Sequence, residues 1–376
     1  MNPVFKGSLE DRKGEKYIKF TLPATPYEIQ DGMERLGYRE PEDLRFEITE
    51  HQGYQYLEHY ISSTAEGEDL QKLNFLAKKL GELDGWQRTS FGGMVKMEMV
   101  QREEISLDRL IDLSYSTGSC HVLREVQNDF QLGKFCVDNG FITALEDIPE
   151  EAMKYLDYEK IGREHREEMG GVITEGGYVE KWEEPQINAG RNFSLHHPEY
   201  TVLLEIGTKH LSLPMAEEAP EFCLWDADGE YRCLDCAVPF LMDIIEEAGD
   251  IEEINRFAGI LEEVEKQGQM RVFKAVLQAI KCRSIEQAEE LGSNLEEEYV
   301  LFQEKGNPAE IAENWLEEQL GEDTELFSED ELYCIGNRYM EKYPTVPTEY
   351  GYLQRYDMEP IQPLEEGPET EIGPQF

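Results

Sequence analysis

The groups in this 376-residue chain whose chemistry could be catalytic or metal-binding are its seven cysteines, seven histidines and 81 acids. Cys233 and Cys236 make the one Cys-x-x-Cys spacing, with Cys223 ten residues earlier. A structural zinc site needs a second ligand pair at comparable spacing, and none follows, so these read as free thiols in a strand and turn. Asp226, Asp228 and Glu230 resemble the start of a calcium loop. Gly229 is fourth from Asp226, however, where such a loop needs glycine sixth, and a hairpin turn at Asp228-Gly229 explains the run better. Cys120 precedes His121, but adjacent side chains diverge in either regular structure, and nothing nearby supplies an oxyanion hole or an orienting acid. The chain has no GxSxG, Walker A, HExxH or strand-linked GxGxxG motif. The reading is therefore not an enzyme, with no metal and no cofactor.

Charge is the chemistry that remains. Acids outnumber Lys and Arg 81 to 35, a formal net charge of -46. Residues 1–190 hold 38 acids and 22 bases, net -16; residues 191–376 hold 43 and 13, net -30. Such a surface repels phosphates and anionic lipid, which excludes direct nucleic-acid and membrane binding, and attracts basic partners in a salt-sensitive way. In PAEIAENWLEEQL the acids Glu310, Glu313, Glu317 and Glu318 fall within the eleven residues from Pro308 to Glu318. That is about 16 Å of helix, or one carboxylate per roughly 4 Å, against one phosphate per roughly 3.4 Å on a DNA strand. The whole net charge matches about 78 Å of duplex, on the order of 23 base pairs. Like charges at i,i+4 cost a few tenths of a kcal/mol each, a burden that solubility alone does not require.

Elements that could carry these charges follow from periodicity. KYIKFT (16–21) and LRFEIT (44–49) alternate like strands, and between them Tyr27, Ile29, Met33 and Leu36 line a helix ended by Gly37. Leu70, Leu73, Leu76, Ala77, Leu80 and Leu83 form a helical stripe, and Ile251, Ile254, Phe257, Ala258, Leu261 and Val264 repeat it 181 positions later. Asn307 can cap a helix beginning at Pro308. The stretch Leu156–Glu180 recurs at an offset of 174: Ile161-Gly162 falls on Ile335-Gly336, Thr174-Glu175 on Thr348-Glu349 and Gly177-Tyr178 on Gly351-Tyr352. The chain reads as a tandem duplication whose halves each close with a helix, a Thr-Glu-x-Gly-Tyr turn and a strand.

The expected fold class is α+β, an elongated array of small domains. We place a small α+β domain at 1–62, a helical domain at 63–104 and a closing α+β domain at 105–180. A linker spans 181–200. Second-copy counterparts follow at 201–248, 249–283 and 284–356, with a disordered acidic tail at 357–376. The amino terminus lacks a signal-peptide core, no run approaches the roughly 18 apolar residues of a spanning helix, and scattered cysteines suit a reducing compartment, so a cytoplasmic location is expected.

At this level of detail the sequence resembles the ArdA-type antirestriction proteins of bacterial mobile elements. The resemblance rests on Leu22-Pro23-Ala24-Thr25 leading into the helix to Gly37, on LRFEITEH and on the Leu73-Asn74 helix. Above all it rests on Tyr155-Leu156-Asp157-Tyr158-Glu159 with the Thr174–Tyr178 turn, and it covers roughly residues 16–180. It implies surface carboxylates that imitate bent B-form DNA and occupy the DNA-binding groove of type I restriction-modification enzymes, blocking restriction and often modification without a catalytic residue. This chain departs in a moderately acidic first half with a basic start at Arg12, Lys13, Lys16 and Lys19, and in its degenerate second copy. Since the family is generally dimeric, a homodimer or a single-chain pseudo-dimer is expected.

The carboxylates assigned to the partner-binding surface are Glu47, Glu50, Glu58, Glu66, Glu68 and Asp69 in the first half. In the second they are Glu246, Glu247, Asp250, Glu252, Glu253, Glu262, Glu263, Glu289, Glu290, Glu296, Glu297, Glu310, Glu313, Glu317 and Glu318. The alternative reading is an acidic adaptor or scaffold that recruits a basic protein.

Overall fold

The computed structural model describes residues 2–11, 16–38, 44–101, 104–142, 153–185, 193, 197–216, 230–248, 250–292, 295–302, 308–320 and 326–363. The expected Asp228-Gly229 hairpin, Cys223, the Asn307 cap and the tail from 364 onward lie outside these residues. The fold is α+β, built from helices and small antiparallel sheets. It divides into a first unit, Met1–Ala24 with Glu42–Leu195, and a second, Thr25–Pro41 with His196–Phe376.

In the first unit, β1 (Phe5–Asp11), β2 (Tyr17–Leu22), β3 (Leu44–His51) and β4 (Thr64–Glu66) form an antiparallel sheet in the order β2-β1-β3-β4. Leu44, Phe46 and Ile48 of β3 point into the core by strict alternation. Strand β1 was not apparent in the sequence, because Gly7 takes the core-side place between Phe5 and Leu9 and leaves no run of alternating apolar residues, while the register shift against β3 falls at Thr49. A Cβ at Gly7 would stand 1.8 Å from the Glu47 carbonyl oxygen, so only glycine allows the two strands to meet there.

Helices Glu68–Glu82, Gly85–Gln101 and Leu107–Tyr115 follow. The first shows the expected stripe, with Leu70, Leu73, Leu76, Ala77 and Leu80 buried. From the start of this helix run Asn74 reaches back to the chain just after β2. Its side-chain oxygen accepts from the Ala24 N–H at 2.8 Å, and its amide donates to the Ala24 carbonyl at 3.0 Å. The unit closes with β5 (Cys120–Leu123), β6 (Val172–Thr174) and β7 (Gly177–Lys181) in the order β5-β7-β6. Beside them pack helices Asp129–Asp138 and Tyr158–Met169, with Gly133 and Gly162 at a crossing so close that a Cβ on Gly162 would lie 1.8 Å from the Asp129 carbonyl.

In the second unit, β8 (Val202–Ile206), β9 (Lys209–Leu213) and β10 (Tyr231–Cys236) run in the order β10-β8-β9. Helices Met242–Glu247, Ile251–Lys266, Met270–Ile280 and Ile285–Leu291 pack around one core that includes Val202, Leu204, Phe257, Leu261 and Phe273. Asn255 clamps the chain after β9 as Asn74 does after β2, accepting from the Met215 N–H at 2.9 Å and donating to the Met215 carbonyl at 3.0 Å. The last sheet is β11 (Tyr299–Phe302), β12 (Val346–Thr348) and β13 (Gly351–Arg355), in the order β11-β13-β12, beside helices Pro308–Leu320 and Glu329–Lys342. A Cβ on Gly336 would meet the Pro308 carbonyl at 1.8 Å.

The helix Pro26–Leu36 forms where its periodicity places it. Thr25 and Glu28 make a reciprocal capping box at its start, and Gly37 ends it at φ 85°. The strands on either side of it in sequence, β2 and β3, belong to the first unit, while the helix itself packs in the second.

Candidate functional surface

Of the assigned carboxylates, fifteen are exposed, four are half-buried and two have side chains outside the described residues. On β3, Glu47 and Glu50 face away from Phe46 and Ile48; on β4, Glu66 faces away from Ala65. Glu58 lies on the 3-10 turn Gln55–His59, and Glu68 and Asp69 open the helix Glu68–Glu82, where its positive end favours them. All six are exposed. Cations temper this set. Lys6 lies 3.9 Å from Glu50, and Lys72 bridges Glu68 at 2.9 Å and Asp108 at 3.0 Å. Arg45 holds Glu10 at 2.8 Å, and its own pKa is raised by that bond, with the nearby charges of Glu47 and Glu66 adding to it.

In the second unit Glu246, Glu247, Asp250, Glu252, Glu263, Glu290, Glu297, Glu313 and Glu317 are exposed, and Glu253, Glu262, Glu289 and Glu310 are half-buried. The side chains of Glu296 and Glu318 lie outside the described residues. Several of these acids also have local work. Asp250 caps the helix Ile251–Lys266 by accepting from the Glu252 N–H at 2.9 Å. Glu246 accepts from the Cys233 N–H at 2.8 Å, and Glu262 meets Lys266 at 2.9 Å. Glu289 has a buried oxygen without a hydrogen-bond partner, and burial pushes its carboxyl pKa up, which makes it the least phosphate-like of the set.

Sequence reasoning passed over Glu329, Asp330 and Glu331, three exposed acids that open the helix Glu329–Lys342. The Ser328-x-x-Glu331 capping box was the signal that could have found them; Ser328 holds the Glu331 carboxyl below the usual range. Other acids are consumed inside the fold. Glu98 is buried against Arg109 and, at 3.7 Å, Lys181, and Asp129 takes a two-pronged contact from Arg166 at 2.8 and 3.0 Å. Glu180 accepts the Tyr178 hydroxyl at 2.9 Å.

The cysteines behave as structural thiols. Cys233 and Cys236 are free and buried on β10, and burial pushes the Cys236 thiol up to about 12. Cys120 is buried and likewise pushed up, the opposite of what a nucleophile needs. Among the described residues no group of three or more His, Cys, Asp or Glu side chains is arranged to hold a metal ion, and no helix is long and apolar enough to cross a membrane.

The elements that carry the first-half carboxylates, from β2 through β7, coincide with a recognisable family segment. Residues 16–180 match the antirestriction protein (ArdA) family. The ArdA match spans the Asn74 clamp, the helix pair joined at Gly133 and Gly162, and the Thr174 turn. No curated protein matches the chain.

Proposed function

We propose that this protein is an antirestriction protein that works as a DNA mimic, binding the DNA groove of a type I restriction-modification complex with carboxylates in place of phosphates. The observation that carries the reading is the coincidence of the ArdA match with acids turned outward on apolar-backed strands and helices, such as Glu47 and Glu66. A positive groove and this surface are complementary, which speeds encounter and fixes register. The sharpest experiment is competition. Duplex carrying the recognition sequence should displace the protein from the purified methyltransferase core, and the protein should protect phage plated on a restricting host; an acidic adaptor would do neither.

We further propose that the second half is a degenerate copy of the first. In support, the sheet orders β2-β1-β3 and β9-β8-β10 correspond, as do β5-β7-β6 and β11-β13-β12. The Asn74 and Asn255 clamps share both hydrogen bonds. The closing turns agree atom for atom. The Thr174 hydroxyl donates to the Gly177 carbonyl at 2.8 Å and accepts from the Gly176 N–H at 3.2 Å, and Thr348 repeats both distances with Gly351 and Tyr350. One chain would then bring what a pair of single-copy chains brings.

A further inference from the structure

The helix Pro26–Leu36 is flanked in sequence by β2 and β3, yet beyond its own cap and pairs the polar contacts of Tyr27, Asp31, Glu34 and Arg35 that anchor it come from the C-terminal half of the chain. Its aromatic anchor Tyr27 is fully buried in the second unit's core, and the Tyr27 hydroxyl donates to the Tyr200 carbonyl at 2.6 Å. At the helix start the Asp235 carboxylate of β10, which accepts from the Tyr200 hydroxyl at 3.0 Å, is close enough to Thr25 and the Tyr27 N–H for both to favour its charged form. At the middle, Lys274, with no exposed surface, reaches Asp31 at 3.0 Å and Glu34 at 2.7 Å, while the Tyr350 hydroxyl donates to Asp31 at 2.7 Å. At the end, Arg35 pairs with Glu349 at 2.9 Å.

A lysine with no exposed surface is rare unless its charge is met, and here two carboxylates from the helix meet it. Asp31 is itself buried, and besides Arg35 of its own helix at 3.9 Å its charge is met by Lys274 and Tyr350. The recognition is therefore specific in three places, an aromatic in the first turn, two acids one turn apart and a helix N-terminus on a carboxylate. One of its members, Asp235, lies on β10, the strand whose place in its sheet corresponds to that of β3 in the first unit.

We infer that the second unit contains a docking site for the amphipathic helix of the ArdA-matching segment, so that the C-terminal half serves that segment as an obligate internal partner. The site takes an acidic helix with tyrosine at its start, and its occupant is residues 25–37 of the same chain. This gives the C-terminal half a role independent of any contact with a restriction enzyme. Residues 16–180 alone leave their first helix without its buried partners.

Hydrogen exchange on the full chain tests this without reference to inhibition. Phe257→Ala opens a cavity in the second unit's core, and Phe91→Ala opens one in the first unit, where Phe91 is fully buried. The account expects amides of residues 27–36 to exchange faster in Phe257→Ala by the same factor as amides of 254–264, and to keep wild-type protection in Phe91→Ala. Phe257→Leu serves if Phe257→Ala does not fold. Lys274→Met should accelerate the same helix by roughly a hundredfold or more, and adding Asp31→Asn and Glu34→Gln should return part of the protection. A helix that follows Phe91→Ala as much as Phe257→Ala, or keeps its protection when the second unit's core opens, overturns the inference.

Discussion

Lys274 Nζ lies 2.7 Å from Glu34 Oε2, a contact between residues 240 apart in the chain and sealed from solvent at the lysine. The two carboxylates beside it hold its pKa above the ordinary lysine value against the opposing effect of burial. Removing Lys274 takes away the nearest cation from both Asp31 and Glu34 and leaves Asp31 with Arg35 at 3.9 Å. Lys274→Met should therefore cost about 3–5 kcal/mol of unfolding free energy, read from urea titration. The triple variant with Asp31→Asn and Glu34→Gln should be more stable than the single one.

Asp235, almost wholly buried beside Tyr200, has its carboxyl pushed up to about 6 by burial, against the hydrogen bonds that favour its charged form. A folded pKa above the unfolded value of about 3.9 means that the folded protein holds the proton more tightly, so this group's contribution to stability falls as pH rises from about 4 to about 6 and is level above that. The stability difference between wild type and Asp235→Asn should shift against the wild type by about 3 kcal/mol across that window. Urea midpoints at pH 4, 5, 6 and 7 measure it, and a difference independent of pH would contradict the assignment.

Gly177 and Gly351 sit at φ 130° and 140°, and a Cβ would stand 2.4 Å from the Leu123 carbonyl and 2.0 Å from the Phe302 carbonyl. Gly177→Ala and Gly351→Ala should each destabilise by about 2–4 kcal/mol, seen as lowered melting temperature. Thr174→Ala and Thr348→Ala, which lose the turn hydroxyl, should cost nearer 1 kcal/mol.

Exposed carboxylates should separate from structural ones. Glu252→Gln, Glu263→Gln, Glu290→Gln and Glu313→Gln together should leave the melting temperature within a few degrees and weaken target binding by roughly tenfold, at a few tenths of a kcal/mol each. Glu98→Gln, buried against Arg109, should instead destabilise the fold.

Local pattern carried much of this structure. The stripe from Leu70 to Leu80, the stop at Gly37 and the Thr174 turn are set by neighbours within a few residues, and each is where the sequence places it. Strand β1 escaped because glycine, not an apolar side chain, fills its core-side place between Phe5 and Leu9. The helix Gly85–Gln101 gave no amphipathic stripe because apolar Phe91, Met94, Val95 and Met97 wrap around it, and Gly93 allows Val179 to press on its backbone. The destination of the first helix was illegible for a different reason: Tyr27, Ile29, Met33 and Leu36 specify that one face is buried, but not which core buries it. Nothing local to Lys274 announces that it answers Asp31 and Glu34. Among the carboxylates, the exposure of Glu47 and Glu66 followed from strand alternation, while Glu246, Asp250 and Glu289 acquired hydrogen bonds or burial that composition could not reveal.

The most direct test of the central claim is the salt dependence of binding to a purified type I methyltransferase core, measured by titration from low to high sodium chloride. A surface that substitutes carboxylates for phosphates predicts an affinity that falls steadily, by roughly tenfold or more over a tenfold rise in ionic strength, with the quadruple Gln variant giving a shallower slope. An affinity unchanged across that range, or the same slope in the variant, would contradict DNA mimicry.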